Sequence, residues 1–279
     1  IRRVQEILEA QTNVKDTASV TTLDTLHGDI RFNHLTFTHL GNTSPVLHDI
    51  NLDIPSGTTL AIIGRTGNGK STLVNLLLRL YNTEPGMIYL DDHDINTIPL
   101  KTLRENIAYV PQDNFLFSDT LKANIAFGTK SQDMSRIIAA AKSACIHDNI
   151  ANFPDNYDTI VGERGVTLSG GQKQRICIAR ALLKKPKILI LDDSTSAVDT
   201  ATDAKIRKAF AEEIPNTTKL IISQRISSVQ NADKIIVLDN GKISGVGSHD
   251  ELLNKNDIYT EIYEAQTKGS GDFDAKGEM

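Results

Sequence analysis

Residues 64–71 have the composition and spacing of a phosphate-binding loop. They spell GRTGNGKS, which fits the pattern G-x-x-x-x-G-K-S. In this pattern the glycines let backbone amides turn towards phosphate oxygens at the start of a helix, where the helix dipole favours anions. Lys70 is expected to reach the β and γ phosphates of a nucleotide, and the hydroxyl of Ser71 to ligate Mg²⁺. A glycine-rich turn with a solvated lysine is the alternative interpretation.

Two adjacent acids, Asp192 and Asp193, follow the apolar run ILIL. Neighbouring side chains on a strand point to opposite faces, so these two acids cannot have the same role. In P-loop enzymes an acid at the end of such a strand holds Mg²⁺, and we assign Asp192 to that role. A strand that ends in Asp is common, but its pairing with the glycine-rich loop makes the signal specific.

A second candidate phosphate site lies at residues 167–175, which spell TLSGGQKQR. A serine and two glycines open a helical pattern here, and the amides at such a helix start can face a phosphate. One chain therefore carries two helix starts that are suited to phosphate binding.

The patterns around these motifs alternate between strands and helices. An apolar run precedes the glycine-rich loop and a helical pattern follows it, which is the context that this loop requires. Further apolar runs are typical of strands buried on both faces of a parallel sheet, and they lie at 187–193, 218–223 and 234–239. Strand-like alternation at 29–54 predicts an antiparallel β subdomain, and helical patterns at 121–185 predict an inserted helical subdomain. The fold class expected is α/β with a parallel sheet.

Two local signals predict where elements begin and turn. Asn240 and Gly241 follow an apolar run and precede a second strand-like segment, which predicts a β-hairpin. Ser131 is the predicted N-cap of the helix at 131–144.

Composition limits the classes of partner. The 279 residues include 30 Lys and Arg and 35 Asp and Glu, a formal net charge of -5. Nucleic-acid binding depends on clustered Lys and Arg, so we expect no nucleic-acid partner. Cys145 and Cys177 lie far apart and lack metal-ligand spacing, which argues against a disulfide or a zinc site. No apolar run approaches the roughly 18 residues of a membrane-spanning helix.

The first 28 residues differ from the rest of the chain. The chain begins at Ile1 without a methionine, residues 1–10 have a helical pattern, and residues 11–28 are polar and Thr-rich. These features indicate a helix end and a linker from a longer polypeptide, whose missing part could include a membrane domain. The predicted organisation is this segment at 1–28, a folded domain at 29–266 with its helical subdomain at about 113–184, and a flexible tail at 267–279.

Five motifs in a fixed order resemble the nucleotide-binding domain of ABC transporters, in the exporter branch that includes multidrug exporters. They are GRTGNGKST, YVPQDNFLF, LSGGQKQR, ILILDDSTSAVD and NADKIIVLDNGKISGVGSHDELL. The resemblance covers about residues 29–266. It implies a P-loop NTPase core of the RecA-like kind, ATP and Mg²⁺ as ligands, and ATP hydrolysis. It also implies a second ABC ATP-binding domain as partner, a transmembrane domain missing from this chain, and a place at the cytoplasmic face of the cell membrane.

The resemblance assigns roles to motifs outside the phosphate-binding loop. Gln112 matches the glutamine that touches Mg²⁺ and the attacking water. Residues 169–172 match the signature sequence, which contacts ATP bound to the opposite domain of a head-to-tail dimer and so explains the second phosphate site. Asp199 matches a loop that links the two sites, and residues 162–165 resemble the exporter loop that faces the membrane part.

The site residues implied by the resemblance form three groups. The residues expected to bind the nucleotide are His39, Val46, Gly64, Arg65, Thr66, Gly67, Asn68, Gly69, Lys70, Ser71 and Thr72, with Ser169, Gly170, Gly171 and Gln172 from the signature sequence. The residues expected to hold Mg²⁺ are Ser71, Gln112 and Asp192. The residues expected to act in catalysis are Lys70, Gln112, Asp193 and Gln224.

Three positions depart from the pattern of the family. Asp193 stands where the family usually has a Glu that acts as general base, and its shorter side chain limits its reach to the attacking water. Gln224 stands where the family has a His at the γ-phosphate, and an amide cannot become cationic. His39 stands where a Tyr commonly stacks on adenine. It either stacks with less area or is a surface histidine without a ligand contact.

The first two departures resemble the degenerate half of a heterodimeric ABC exporter. Such a subunit has an impaired hydrolytic site of its own, and its intact LSGGQ completes the active site of the partner. A homodimer or independent ATPase that tolerates Asp193 and Gln224 is one alternative. A soluble ABC ATPase that serves DNA repair or translation, and a nucleotide-gated regulatory module that never hydrolyses, are the others.

Overall fold

The computed structural model describes residues 12–129, 133–162 and 168–267, apart from residues 18, 19, 22 and 24. The strands are β1 Ile30–Phe37, β2 Leu47–Ile54, β3 Thr59–Ile63, β4 Ile88–Leu90, β5 His93–Asp94, β6 Ile107–Val110, β7 Ile188–Asp192, β8 Thr218–Ile222, β9 Lys234–Asp239 and β10 Lys242–Gly247. The α-helices are α1 Lys70–Leu77, α2 Leu100–Asn106, α3 Leu121–Ala126, α4 Met134–Ser143, α5 His147–Ala151, α6 Gly170–Lys184, α7 Thr200–Glu213, α8 Ile226–Val229, α9 His249–Lys255 and α10 Asp257–Thr267. Within these residues, no helix has the length and apolar character needed to cross a membrane.

The larger sheet has the strand order β10-β9-β3-β8-β7-β6. Strands β9, β3, β8, β7 and β6 run parallel to their neighbours, and β10 pairs antiparallel with β9. Every residue of β7 and of β8 is buried, as the continuous apolar runs predict for strands covered on both faces. Because these strands are parallel, their carboxyl ends meet along one edge of the sheet, where ligands commonly bind in open α/β sheets.

The two faces of the larger sheet pack against different layers. Alternate residues of β3 and β7 face a core that also contains α1 and the smaller sheet, and they include Leu60, Ile62 and Ile190. The residues between them, such as Ala61 and Leu189, face a core formed with α6 and α10. The period of two along each strand therefore places α1 on one side and the signature helix α6 on the other.

The smaller sheet is antiparallel and has the order β2-β1-β4-β5. Its strands β1 and β2 alternate between buried and exposed residues, because one face covers the core and the other meets solvent. The α/β fold with a parallel sheet, an N-terminal antiparallel sheet and helices α3 to α6 inserted between β6 and β7 is thus confirmed.

The details of some predicted elements differ. The predicted cap Ser131 lies outside the described residues, and α4 begins at Met134 with Asp133 accepting a hydrogen bond from the amide of Ser135. Strand β6 has no predicted counterpart. Residues 1–11, 163–167 and 268–279 are also outside the described residues, and with them lie most of the predicted exporter loop, the predicted helix end and the predicted tail.

Candidate nucleotide site

The glycine-rich loop joins β3 to α1 at the carboxyl edge of the larger sheet. Gly64, Gly67 and Gly69 all have positive φ angles, of 155°, 83° and 90°. A Cβ atom on Gly64 would lie 2.2 Å from the carbonyl oxygen of Leu238 at the end of β9, so only glycine fits there. Gly69 precedes α1, and no side chain caps this helix. The first amides of α1 can therefore bind an anion.

Lys70 is held over this loop by the loop itself. Its ammonium donates to the carbonyl oxygens of Gly64 at 2.6 Å and Arg65 at 2.7 Å, and the residue is 9% exposed. A buried ammonium needs such acceptors. These contacts place the positive charge over the loop, where the phosphates of a nucleotide bind in P-loop proteins.

The rest of the loop is tied to neighbouring elements. Asn68 donates to the carbonyl of Leu238 at 3.1 Å and to Asp239 Oδ1 at 3.2 Å, which joins the loop to the end of β9. Arg65 lies 3.4 Å from Glu261 Oε2 of α10. These contacts join the loop to β9 and to α10.

His39 lies beside α1 within an aromatic cluster. Its ring centroid is 5.0 Å from that of Phe37 and 5.1 Å from that of Tyr81, both in edge-to-face arrangements. Its Nε2 is 3.3 Å from the hydroxyl of Thr72, two residues after Lys70. The half-buried Val46 lies at the same end of the loop, since a Cβ on Gly69 would be 3.0 Å from its carbonyl oxygen. The structure therefore places an aromatic ring and an aliphatic side chain next to the phosphate loop.

Asp192 ends β7 and is buried. Burial raises the pKa of its carboxyl group, and the charge of Asp193 adds to this effect. The hydrogen bond from Tyr109 and the charge of Lys70 lower the pKa in opposition. Tyr109 lies on the adjacent strand β6, and its hydroxyl donates to Asp192 Oδ2 at 3.2 Å. A buried carboxylate of this kind is stabilised by a nearby cation.

Asp193 is joined to the strand next to it. Its φ angle is 43°, and its amide donates to the carbonyl of Ile222 at 2.8 Å. Its Oδ1 accepts a hydrogen bond from the hydroxyl of Ser223 at 3.1 Å. Ser223 directly precedes Gln224. Asp193 and Gln224, which both depart from the pattern of the family, therefore lie at the ends of adjacent strands.

Gln224 contacts the phosphate loop. Its Nε2 donates to the hydroxyl of Thr66 at 3.1 Å, and its side chain is exposed at the sheet edge. The loop after β3 and the end of β8 are therefore bonded to each other through side chains. An amide at this place can donate a hydrogen bond to an anion bound by the loop.

The oxygen donors near the loop suit Mg²⁺. Asp192 supplies a carboxylate and Ser71 a hydroxyl, and hard oxygen ligands of this kind are the ones that Mg²⁺ prefers in phosphate sites. Gln112, two residues after β6, lies at the same edge but is exposed. Among the described residues no hydrogen bond joins its carboxamide to Asp192 or Lys70, and its role as a ligand stays a prediction.

The signature sequence forms the start of α6. Ser169 is the N-cap, its hydroxyl accepting from the amide of Gln172 at 3.3 Å while Gln172 Oε1 accepts from the amide of Ser169 at 2.9 Å. A Cβ on Gly171 would lie 2.7 Å from the carbonyl oxygen of Ala197, and Gly170 also faces Ala197. In the described part of the chain, no hydrogen bond connects these residues to the phosphate loop. They form a helix start that is separate from the one after the phosphate loop.

The family model described as ABC transporter matches residues 47–196, a range that holds the glycine-rich loop, the signature sequence and Asp192. The chain belongs to the ABC transporter family.

Two relatives of this ABC domain are proteins of bacteria. One is an uncharacterised ABC transporter ATP-binding protein of Bacillus subtilis (strain 168), 44% identical over 264 residues, which are 95% of this chain and 45% of the relative. The other is a Staphylococcus aureus (strain NCTC 8325 / PS 47) protein, provisionally named a multidrug export ATP-binding/permease protein. It is 43% identical over 263 residues, 94% of this chain and 46% of the relative.

A solved structure of an exporter is also similar. It is described as a bacterial Atm1-family ABC exporter with ATP bound, and it matches with a TM-score of 0.90 and 37% identity. The match covers 95% of the ABC domain described here and 47% of the exporter chain. The present chain thus spans less than half of the length of each of these three proteins.

Several residues at the site of this ABC domain had no role in the sequence prediction. They are Tyr109, Gln174, Ser223 and Gln266. Gln174 is buried on α6, where its carboxamide donates to Ser196 Oγ at 3.0 Å and accepts from the amide of Ala197 at 3.0 Å. The available signals were a polar residue on the buried face of a helix, for Gln174, and a tyrosine in a short apolar run before Gln112, for Tyr109.

Proposed function

We propose that this chain binds MgATP at residues 64–71 and is the ATP-binding domain of an exporter. The observation that carries the proposal is the meeting of four strand ends at one edge. The glycine-rich loop after β3, Asp192 at the end of β7, Gln224 after β8 and Tyr109 in β6 are connected by the hydrogen bonds described above. Because phosphate donors, an acid and an amide converge there, the edge suits a triphosphate with its cation.

Each residue then has a defined task. The amides at the start of α1 and the ammonium of Lys70 bind the β and γ phosphates, and the contacts of Lys70 with loop carbonyls are exchanged for phosphate oxygens. Ser71 and Asp192 would hold Mg²⁺, with Gln112 as the third predicted ligand. Bound Mg²⁺ supplies positive charge that neutralises the oxygens of the β and γ phosphates. His39 and Val46 contact the adenine.

We further propose that hydrolysis at this chain's own site is slow. Asp193 has a side chain one methylene shorter than Glu, and its Oδ1 is engaged by Ser223. Gln224 offers a neutral donor where a cation would stabilise developing charge better. A general base must lie within hydrogen-bond reach of the proton that it takes, and small misplacements can reduce rates about a hundredfold.

The partner in this proposal is a second ABC ATP-binding domain, in which Glu and His complete the competent site. ATP binding closes the two domains head to tail, so that residues 169–172 contact the ATP held by the partner. Hydrolysis at the partner's site then releases the closed dimer. The intact SGGQ at the start of α6 supports this arrangement.

We propose that a membrane domain docks on an aromatic cluster next to the Gln112 segment. Phe115, Phe117 and Phe127 are 48%, 38% and 53% exposed, and their rings contact one another at 5.0 Å and 4.4 Å between centroids. Exposed apolar clusters of this kind commonly mark protein interfaces. The relative from Staphylococcus aureus is named as both ATP-binding protein and permease, which supports a membrane domain as the occupant and the cytoplasmic face of the membrane as the location.

The test measures ATP turnover in the full-length protein assembled with its partner. Replacing Asp193→Glu together with Gln224→His should raise steady-state phosphate release by up to about twofold, because it restores reach and charge at a second site beside the competent one of the partner. The same complex carrying Lys208→Arg, a change on the exposed face of α7, is the matched control and should keep the original rate.

Two outcomes would contradict the proposal. If the unmodified chain alone hydrolyses ATP at about 1 s⁻¹ or faster, which is typical of competent enzymes, its site is not impaired. If Lys70→Ala leaves MgATP binding by this chain unchanged, the glycine-rich loop is not the nucleotide site.

A further inference from the structure

Gln266 binds the main chain around Gln224 with both ends of its carboxamide. Its Nε2 donates to the carbonyl oxygen of Gln224 at 2.6 Å, and its Oε1 accepts from the amide of Ile226 at 2.9 Å. The two contacts span one residue, Arg225, so a single side chain closes a small ring with residues 224–226. This restricts the backbone torsions of the segment that carries Gln224.

The helix that carries Gln266 is anchored in the core. On α10, Tyr259 and Ile262 are buried in the cluster beneath the larger sheet. The amide of Tyr259 donates to Asn256 Oδ1 at 2.9 Å, and its hydroxyl lies 2.8 Å from His249 Nδ1. A side chain on an element fixed in this way can position another residue, because its own backbone does not move to follow it.

The same helix also contacts the phosphate loop. Glu261 Oε2 lies 3.4 Å from Arg65 Nη2, and the two side chains are 59% and 38% exposed. An exposed ion pair of this kind contributes little, about 0 to 1 kcal/mol. It nevertheless places α10 against both segments that flank the terminal phosphate in the proposed function, residues 64–71 and the segment after β8.

The side chain of Gln224 reaches the phosphate loop from this fixed segment. Its Nε2 donates to Thr66 Oγ1 at 3.1 Å, although the side chain is exposed. A glutamine has three rotatable side-chain bonds, so ordering it on a ligand costs conformational entropy. Holding the main chain at 224–226 lowers the additional entropy cost of placing the amide on a phosphate.

We infer that Gln266 is a positioning residue that holds Gln224 for contact with the terminal phosphate of ATP. The inference rests on the proposed function, in which Gln224 faces the γ-phosphate. Gln266 itself touches neither nucleotide nor metal. Its effect is therefore confined to ligands that possess a γ-phosphate, and ADP binding does not depend on it.

The test compares two nucleotides in the full-length protein. Dissociation constants for AMP-PNP and for ADP, each with Mg²⁺, are measured by calorimetry in the original protein and in Gln266→Leu. We expect AMP-PNP binding to weaken about fivefold, the loss associated with a hydrogen bond of about 1 kcal/mol, with ADP binding unchanged. Thr260→Val is the matched control on α10, because the Thr260 hydroxyl bonds only backbone carbonyls of Leu253 and Asn256 in the described structure, at 3.0 Å each.

A second variant and a double-mutant cycle test independently whether Gln266 acts through Gln224. Gln266→Glu retains an acceptor for Ile226 and loses the donor to Gln224, so it should weaken AMP-PNP binding in the same direction. Gln224→Ala should also reduce the preference for AMP-PNP, and adding Gln266→Leu to it should cause no further loss, since both act through one contact.

The outcomes separate the inference from the function on which it rests. If Gln266→Leu weakens AMP-PNP and ADP equally, or leaves both unchanged while Gln224→Ala reduces the preference, Gln266 is not a positioning residue and the inference is overturned alone. If Gln224→Ala leaves the preference unchanged, the proposed contact of Gln224 with the γ-phosphate is wrong, and the inference is overturned together with it.

Discussion

At the scale of single residues, Asp192 is a buried carboxyl group whose pKa is subject to opposing effects. Burial raises the pKa of its carboxyl group, whereas the Tyr109 hydroxyl and Lys70 oppose that rise. Partners that hydrogen-bond a metal-ligating group orient it and commonly change metal affinity ten- to a hundredfold when they are removed. In the proposed function Asp192 holds Mg²⁺, and Tyr109 is then such a partner for it.

Tyr109→Phe should therefore lower the affinity of the site for Mg²⁺. We expect the Mg²⁺ concentration for half-maximal AMP-PNP binding to rise about tenfold, while binding of nucleotide without metal stays the same. The measurement is a Mg²⁺ titration at fixed AMP-PNP. Tyr89→Phe is the control, because Tyr89 lies in the smaller sheet, where Arg31 covers its ring. Equal shifts in the two variants would show that Tyr109 supports the fold rather than Asp192.

The roles of individual residues could be predicted from the sequence only where the spacing of residues in a motif indicates them. The glycine-rich loop was predictable because the strand before it and the helix after it are contiguous with it in the chain. Asp192 was predictable because it directly follows an apolar run typical of a buried strand. The contacts of Tyr109 and Ser223 were not predictable, since each depends on which strand lies beside β7. Tyr109 comes from β6 on one side and Ser223 from β8 on the other.

At the scale of elements, the phosphate loop packs against the end of β9. Gly64 lies so close to Leu238 that a Cβ would meet its carbonyl oxygen at 2.2 Å, and Asn68 bonds the same carbonyl. Strand β9 is the parallel neighbour of β3, so the loop can form only if the two strands keep their register. The loop geometry is thus a property of two strands and not of the loop alone.

Gly64→Ala should destabilise the protein through this contact. We expect a loss of about 3 kcal/mol in the free energy of unfolding, because both the backbone conformation and the packing against Leu238 are disturbed. Gly128→Ala tests the backbone contribution alone. Gly128 has a φ of 81° with nothing within 4 Å of a Cβ, and its change should cost about 1 kcal/mol. Urea unfolding of both variants provides the comparison, and equal losses would exclude the clash with Leu238.

Elements with long, regular patterns were predicted well. The last apolar run matches β9, and Asn240 and Gly241, with φ angles of 45° and 73°, form the turn to β10. Strand β6 was not predicted, because it has only four residues and directly follows α2. Its sequence is too short to show a periodicity that would distinguish a strand from the end of the helix. The start of α4 was placed at Ser131, yet Asp133 is the residue whose side chain caps it, and both residue types are good caps.

At the scale of the whole molecule, the two helix starts predicted to bind phosphate share no hydrogen bond within the described residues. Lys70 and its loop lie at one helix start and Ser169 at another, and within the described structure Gln174 ties the second helix to the turn at 196–197. Sequence could indicate both helix starts through their motifs. It could not place them, because their separation depends on α1 and α6 packing on opposite faces of the larger sheet.

This separation leads to a prediction about the assembled transporter. Ser169→Ala should reduce ATP turnover of the complex about tenfold while MgATP binding at this chain's own loop is unchanged, because in the proposed dimer Ser169 serves only the partner's ATP. The turnover is measured by phosphate release, and binding at the own loop by nucleotide titration of the isolated chain.

Ser248→Ala is the matched control for that experiment. Ser248 forms a capping box with Glu251 at the start of α9, just as Ser169 does with Gln172 at the start of α6, so both changes remove a cap worth about 1 kcal/mol. If the two variants lower turnover equally, the effect is one of helix stability and the head-to-tail dimer loses its support. A loss confined to Ser169→Ala means that a residue outside this chain's own loop controls hydrolysis in the complex, and only a second nucleotide site completed by α6 accounts for that result.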